Sequence, residues 1–312
     1  MKCVDGLLEY FTELEKDFHH YYINVLQRCE EEDVHQLRLN MKRQVAFFHL
    51  LESLDPSFST AKALEAYGKL YKKAGKVRDY QVEKKVVRRE EKLLKLQHHF
   101  SDWLAEQERK RRDKLQSYET EHSLVRVHRL SKLVRNRVQY LSEETFKPSL
   151  QAYFERLFAK VREAITPENR SEAHFHELRK RIKVLFYNLE LIDQLCTTTH
   201  LAKKHMKALD SLQKLLGNWH DRYFTLERIE QGQEQCPAPL KTRLEQEKAD
   251  FVGRIEQRLE KVPELIDRLE ASLRRLLKSE PLEPSDRPKS ARKPKSKTRS
   301  SYSQMNVGEQ TK

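Results

Sequence analysis

One short phrase occurs twice in this chain, and its residues are of the kinds that bind anions. Val34-His35-Gln36-Leu37-Arg38 is followed by Lys42, and Phe175-His176-Glu177-Leu178-Arg179 is followed by Lys183. A histidine, an arginine and a lysine at i, i+3 and i+7 share one side of an α-helix. An arginine fork grips two phosphate oxygens, a lysine supplies a mobile point charge, and a histidine donates from one ring nitrogen or both. With His35 at zero on a helical wheel, Arg38, Lys42 and His49 fall at roughly −60°, −20° and −40°. Val34, Leu37, Met41, Val45 and Phe48 centre near −120°, so a buried face lies beside a cationic one. The second copy repeats the design, with Phe175, Leu178, Ile182, Phe186 and Leu189 apolar and His176, Arg179, Lys180, Lys183 and Tyr187 polar. From His35 to His49 the stripe runs about 21 Å, enough for several linked phosphates. A lone basic helix face is usually solvated surface. It is the recurrence of the same residue types at the same spacing that argues for binding.

The echo continues beyond the phrase. Ala74-Gly75-Lys76-Val77-Arg78-Asp79 corresponds to Leu216-Gly217-Asn218-Trp219-His220-Asp221. The glycines are 142 residues apart, as are the aspartates, and the histidines are 141 apart. One register across two features predicts an internal duplication. Gly75 and Gly217 read as helix ends, where a left-handed residue is favoured. Asp79 and Asp221 then read as caps of the following helices, or as carboxylates that orient Arg78 or His220.

Helices must position these residues. Charged residues make up 35% of the 312, apolar residues 38%, and there are only 7 glycines, a profile of long solvent-laced helices. The periodicity predicts helices over 4–29, over 33–55 with Asp33 as N-cap, over 58–74, and a long basic one over 79–118. Further segments cover 122–165 with an interruption around Pro148, then a helix starting at Thr166-Pro167 and reaching Cys196, then 200–216. The last stretch runs to residue 278 with a break at Pro237 and Pro239. The expected fold class is all-α, with repeat one over about 4–120 and repeat two over about 121–279, together forming a domain over 1–280. Past Glu280 the composition turns to Pro, Ser, Lys and Arg, so 281–312 reads as a disordered basic tail, either a polyanion tether or a solubilising terminus.

The formal net charge of +13 attracts polyanions, and nucleic acid, anionic membrane and inorganic phosphate polymers meet that requirement equally. Cys3, Cys29, Cys196 and Cys236 are far apart and read as free thiols rather than a disulfide framework or metal set. No stretch has the apolar length of a membrane span, and residues 1–10 lack a secretory pattern, so the expectation is a soluble, cytoplasmic protein. The run Lys84 to Lys95 mixes in Glu83, Glu90 and Glu91, as ordinary intrahelical pairing does. Arg126, Arg129, Lys132, Arg135 and Arg137 carry no acid among them, and read equally as a secondary basic wall or a solvated face. Trp103 and Trp219 read as core or junction residues. No P-loop appears, and Glu177, Asp79 and Asp221 make no recognisable metal set.

The phrases His35-Gln-Leu-Arg38-x-x-x-Lys42-Arg43 and His176-Glu-Leu-Arg179-x-x-x-Lys183 resemble the two signatures of the CHAD family, the conserved histidine α-helical domain. Gly75-x-x-Arg78-Asp79 and Leu215-Leu216-Gly217-x-x-His220-Asp221 resemble its second pair. The resemblance covers roughly residues 4–279. It implies two pseudo-symmetric antiparallel helical bundles with basic residues lining a central groove or pore. It also implies non-catalytic binding of inorganic polyphosphate, often at intracellular granules. Carried over by position, the implied ligands are His35, Arg38, Lys42 and Arg43, then His176, Arg179, Lys180 and Lys183. Where relatives often carry a further arginine, this chain has Gln44 and Val45, then Leu185 and Phe186, and Val184 replaces the second residue of the Lys-Arg pair. The alternatives are a phosphohydrolase or phosphotransferase in the same groove, and a helical nucleic-acid binder. No cofactor and no metal are expected.

Overall fold

The computed structural model describes residues 3–118, 120–166, 171–195, 200–231 and 236–278. Among these it holds ten α-helices and no strand: α1 (Cys3–Gln27), α2 (Glu31–Leu54), α3 (Thr60–Leu93), α4 (His99–Gln116), α5 (Thr120–Gln139), α6 (Glu143–Ile165), α7 (Glu172–Leu195), α8 (Lys203–Glu230), α9 (Ala238–Leu259) and α10 (Val262–Lys278). The all-α expectation holds. The tail 281–312, Pro167, Cys196 and the side chain of Cys3 lie outside the described residues.

The main core gathers the apolar stripes of α1, α2, α6, α7 and α10, with Phe11, Phe18, Phe47, Phe48, Phe154, Phe158 and Phe175 fully enclosed. Each such side chain contributes on the order of 2 kcal/mol through burial. A smaller core, with Val87, Phe100, Leu104, Leu226, Leu240 and Leu244, joins the far halves of α3 and α8 to α4 and α9. Within the main core the Asn40 amide donates to the Leu14 carbonyl at 2.9 Å, and Gln44 donates to Asn40 at 2.7 Å. Tyr67 in turn donates to Gln44. This ladder satisfies buried polar groups while fixing α1, α2 and α3 in register. Gln44 is therefore a core residue, which is why no arginine stands there.

Several boundaries differ from the pattern reading. Gly75 and Gly217 lie inside α3 and α8, so Asp79 and Asp221 are mid-helix residues and cap nothing. The distortion in α3 is instead at Gly68, at φ 41° and ψ −120°. The long basic helix does not reach residue 118; it ends at Leu93 without glycine or proline nearby. Lys95 takes the left-handed conformation at φ 54°, and Leu96 and Lys95 donate to the carbonyls of Glu91 and Lys92. That pair of bonds is the Schellman closure. The buried Glu91 carboxylate then pins the turn by accepting from the Ser101 amide at 3.2 Å. Asp33 is no N-cap either: it sits within α2 and accepts from Arg28 Nε at 2.9 Å. Pro148 lies inside α6 without ending it, and Thr166 closes α6 rather than opening α7.

Candidate functional site

The facing surfaces of α2, α3, α7 and α8 enclose a cavity of about 1380 Å³. Its walls follow from the wheel geometry of the motif helices. Val34, Leu37 and Met41 on α2, and Phe175, Leu178 and Ile182 on α7, are buried in the core. The neighbouring faces are thereby turned to the cavity, bringing His35, Arg38, Lys42 and Arg43 opposite Arg179, Lys180, Lys183 and Tyr187. α3 adds Lys76, Arg78 and Asp79, and α8 adds Lys214, His220, Asp221 and Arg228. Ten lysines and arginines line the space against five carboxylates.

Arg38 is held in a fixed pose. Its Nη1 donates to the Tyr71 carbonyl at 3.2 Å, and its guanidinium lies 5.3 Å from the centre of the Tyr71 ring. Gly75 makes that pose possible, because a Cβ there would stand 2.7 Å from Arg38 Nη1. The matching position, Gly217, has nothing within 4 Å of its would-be Cβ, so the two glycines do different work. Arg43 is engaged by Glu190 at 3.1 Å, which ties α2 to α7. Arg228 is clamped by Glu83, with Nη2 donating at 2.9 Å, and by the Tyr80 hydroxyl at 2.8 Å. Arg78 pairs with Glu31 at 3.1 Å rather than with Asp79, whereas His220 Nδ1 lies 3.8 Å from Asp221.

Four of the ten, Lys42, Lys76, Arg179 and Lys183, make no ion pair or hydrogen bond among the described residues, and of these Lys76 is exposed. Lys42, Arg179 and Lys183 are half-buried, with Asp79 and Asp221 acting on them only at longer range; the Nε of Arg179 is buried unsatisfied. Burial, reinforced by Arg38 and Arg179, lowers Lys42 to about 8. Burial, reinforced by Lys42 and Arg179, lowers Lys183 to about 6. Burial likewise depresses His35, with Arg78 and Lys42 adding to it, and takes His220 to about 4. Asp79 is raised by desolvation, which outweighs the pull of Arg38. Tyr187 is pushed up to about 12 by burial and stays a neutral donor. The chemistry on offer is a desolvated set of donors facing one space, without charge balance.

Not every residue singled out from sequence lies there. His176 is outside the cavity wall; its ring sits in an aromatic cluster 4.9 Å from Trp219, 4.9 Å from Tyr223 and 5.0 Å from His220. His49 lines a separate pocket and lies 3.8 Å from Glu52. Arg126, Arg129, Lys132 and Arg135 belong to α5 and line neither space; Arg135 is bound to Glu15 and to Thr12 at 3.1 Å. The basic-wall reading of α5 is thus replaced by the surface one. Lys76, Lys214 and Arg228 are cavity cations that the motif reading missed. All three follow from continuing α3 and α8 through their glycines, since Lys214, Gly217, Asp221 and Arg228 recur at helical spacing. Among the described residues no group of three or more His, Cys, Asp or Glu is arranged to hold a metal ion. Nor is any helix long and apolar enough to cross a membrane. Cys29 and Cys236 are free thiols.

No curated protein matches the chain. The crystal structure of the CHAD domain from the plant Ricinus communis matches with a TM-score of 0.58 at 16% identity, over 88% of this chain and 92% of that one. At that identity the likeness concerns the fold. A family model described as the CHAD domain matches residues 10–230, which span both motif helices and the whole cavity wall. The chain belongs to the CHAD domain family.

Proposed function

We propose that the protein binds inorganic polyphosphate in the cavity between α2, α3, α7 and α8 and performs no chemistry on it. The observation that carries this reading is the trio Lys42, Arg179 and Lys183, half-buried, close enough to depress one another, and unpaired. Keeping an unpaired charge buried is costly, which is why Lys183 sheds its proton in the free protein; folded proteins keep such perturbed groups where a ligand supplies the missing counter-charge. Arginine forks beside lysine point charges suit tetrahedral anions, and the cavity is far larger than one phosphate needs. The CHAD family is linked to polyphosphate, which satisfies both size and charge. Association with polyphosphate granules in the cytoplasm, with no cofactor, belongs to the same reading.

Charge reversal tests it. Arg38→Glu and Arg179→Glu should each abolish retention on immobilised polyphosphate while helical content by circular dichroism stays unchanged. Unchanged retention by both variants sinks the proposal. Release of phosphate from long-chain polyphosphate by the pure protein with magnesium would refute the non-catalytic part. Displacement by RNA at equal phosphate concentration would refute specificity for polyphosphate.

A further inference from the structure

A second basic pocket opens at the seam of α2, α6 and α7, with a volume of about 460 Å³. Lys180 and Val184 line both this pocket and the central cavity, so the two spaces meet across one turn of α7. Arg156 and Lys160 face it from α6 at i and i+4, on one side of that helix. Neither forms an ion pair; Arg156 Nη2 donates only to the Ser53 hydroxyl at 2.6 Å. His49 stands on the opposite wall, its pKa lowered by burial despite Glu52, and with Lys160 adding to the depression. The carboxylates here are spoken for. Glu52 faces His49, and Glu177 holds Lys180 at 2.5 Å and Arg181 at 2.9 Å. The Lys180–Glu177 pair is an exposed pair within one helix, a type worth only a few tenths of a kcal/mol, so a phosphate oxygen displaces it readily.

We propose that this pocket is a second anion subsite, continuous with the central cavity through Lys180, and that it takes the overhanging phosphates of a chain too long for the cavity alone. The inference rests on the polyphosphate reading and adds a length preference: long polyphosphate engages Arg156 and Lys160, and tripolyphosphate does not. His49 thereby finds its place, at the far end of the α2 stripe.

The test is a titration of the full chain with tripolyphosphate and with long-chain polyphosphate over a range of salt. It compares wild type, the double variant Arg156→Gln/Lys160→Gln, and a control neutralised on α5, Arg129→Gln/Lys132→Gln. Each phosphate contact to a flexible polyanion contributes about 0.7 to the slope of log affinity against log salt, so the double variant should lose about 1.4 for the long chain. Its slope for tripolyphosphate and both slopes of the control should match wild type. A long-chain slope in the double variant equal to that of the control overturns the second subsite and leaves the cavity reading standing. Absence of any polyphosphate binding by wild type overturns both.

Discussion

Lys183 makes the cavity's unbalanced charge measurable. In the folded protein its pKa is lowered to about 6 by burial, with Lys42 and Arg179 adding to the effect. In the unfolded chain a lysine titrates at about 10.4. Between these values the unfolded state binds one proton more than the folded state, so stability rises with pH at about 1.4 kcal/mol per unit. Below pH 6 both states are protonated and the full penalty applies; above about 10.4 both are neutral and it vanishes. From pH 6.5 to 8 the group should add on the order of 2 kcal/mol to stability. Lys183→Met should flatten that part of the profile, leaving the variant the more stable of the two near pH 6 in urea titrations. Binding runs the other way. A polyanion restores the ammonium, so at pH 7.5 complex formation should take up about one proton onto Lys183 and roughly a quarter of one onto Lys42, whose pKa is about 8. Calorimetry in buffers of different ionisation enthalpy measures that uptake, and affinity should fall as pH rises. No proton uptake in wild type, or a pH–stability profile unchanged in Lys183→Met, would refute the reasoning.

The two glycines should respond differently to the same substitution. Gly75→Ala gains up to about 1 kcal/mol of helix propensity but drives Arg38 from its place, so thermal stability should hold while polyphosphate affinity falls. Gly217→Ala meets open space and should raise the melting temperature with affinity intact; equal loss of affinity in both would show that the Arg38 pose is irrelevant. Arg228→Met leaves the Glu83 carboxylate buried without its partner and should cost about 3 kcal/mol in chemical denaturation at pH 8. The loss should shrink at pH 5, because a carboxyl whose pKa is already raised by burial protonates first. A loss independent of pH would mean that packing of the arginine stem dominates.

Helical periodicity made the element order legible, because stripes such as Leu7, Phe11, Leu14 and Phe18 leave no other face for the core. The motif cations were legible for the same reason. What failed was punctuation. Glycine within a helix and glycine at its end look alike locally, and Gly75 owes its identity to Arg38, a residue on another helix. The true end of α3 has neither glycine nor proline; it depends on Lys95 in a left-handed turn and on Glu91 reaching the Ser101 amide, a tertiary arrangement. Ending the eighth helix at Gly217 hid Lys214 and Arg228, which belong to one continuous face of α8. His176 misled differently, since the rings around it come from residues 219–224 and only folding assembles them.

The cavity's walls come from two stretches of chain far apart in sequence, α2–α3 and α7–α8. On the polyphosphate reading, each stretch is a weak grip with a handful of cations. Joined in one molecule, the second grip meets a ligand already tethered by the first, so its encounter is governed by effective concentration rather than by the bulk. On that reading affinity would scale more like a product than a sum, with the Arg43–Glu190 pair tying the two stretches together at the α2–α7 seam. By the same reading, a polyanion that reaches both stretches would be retained longer than one held by either alone.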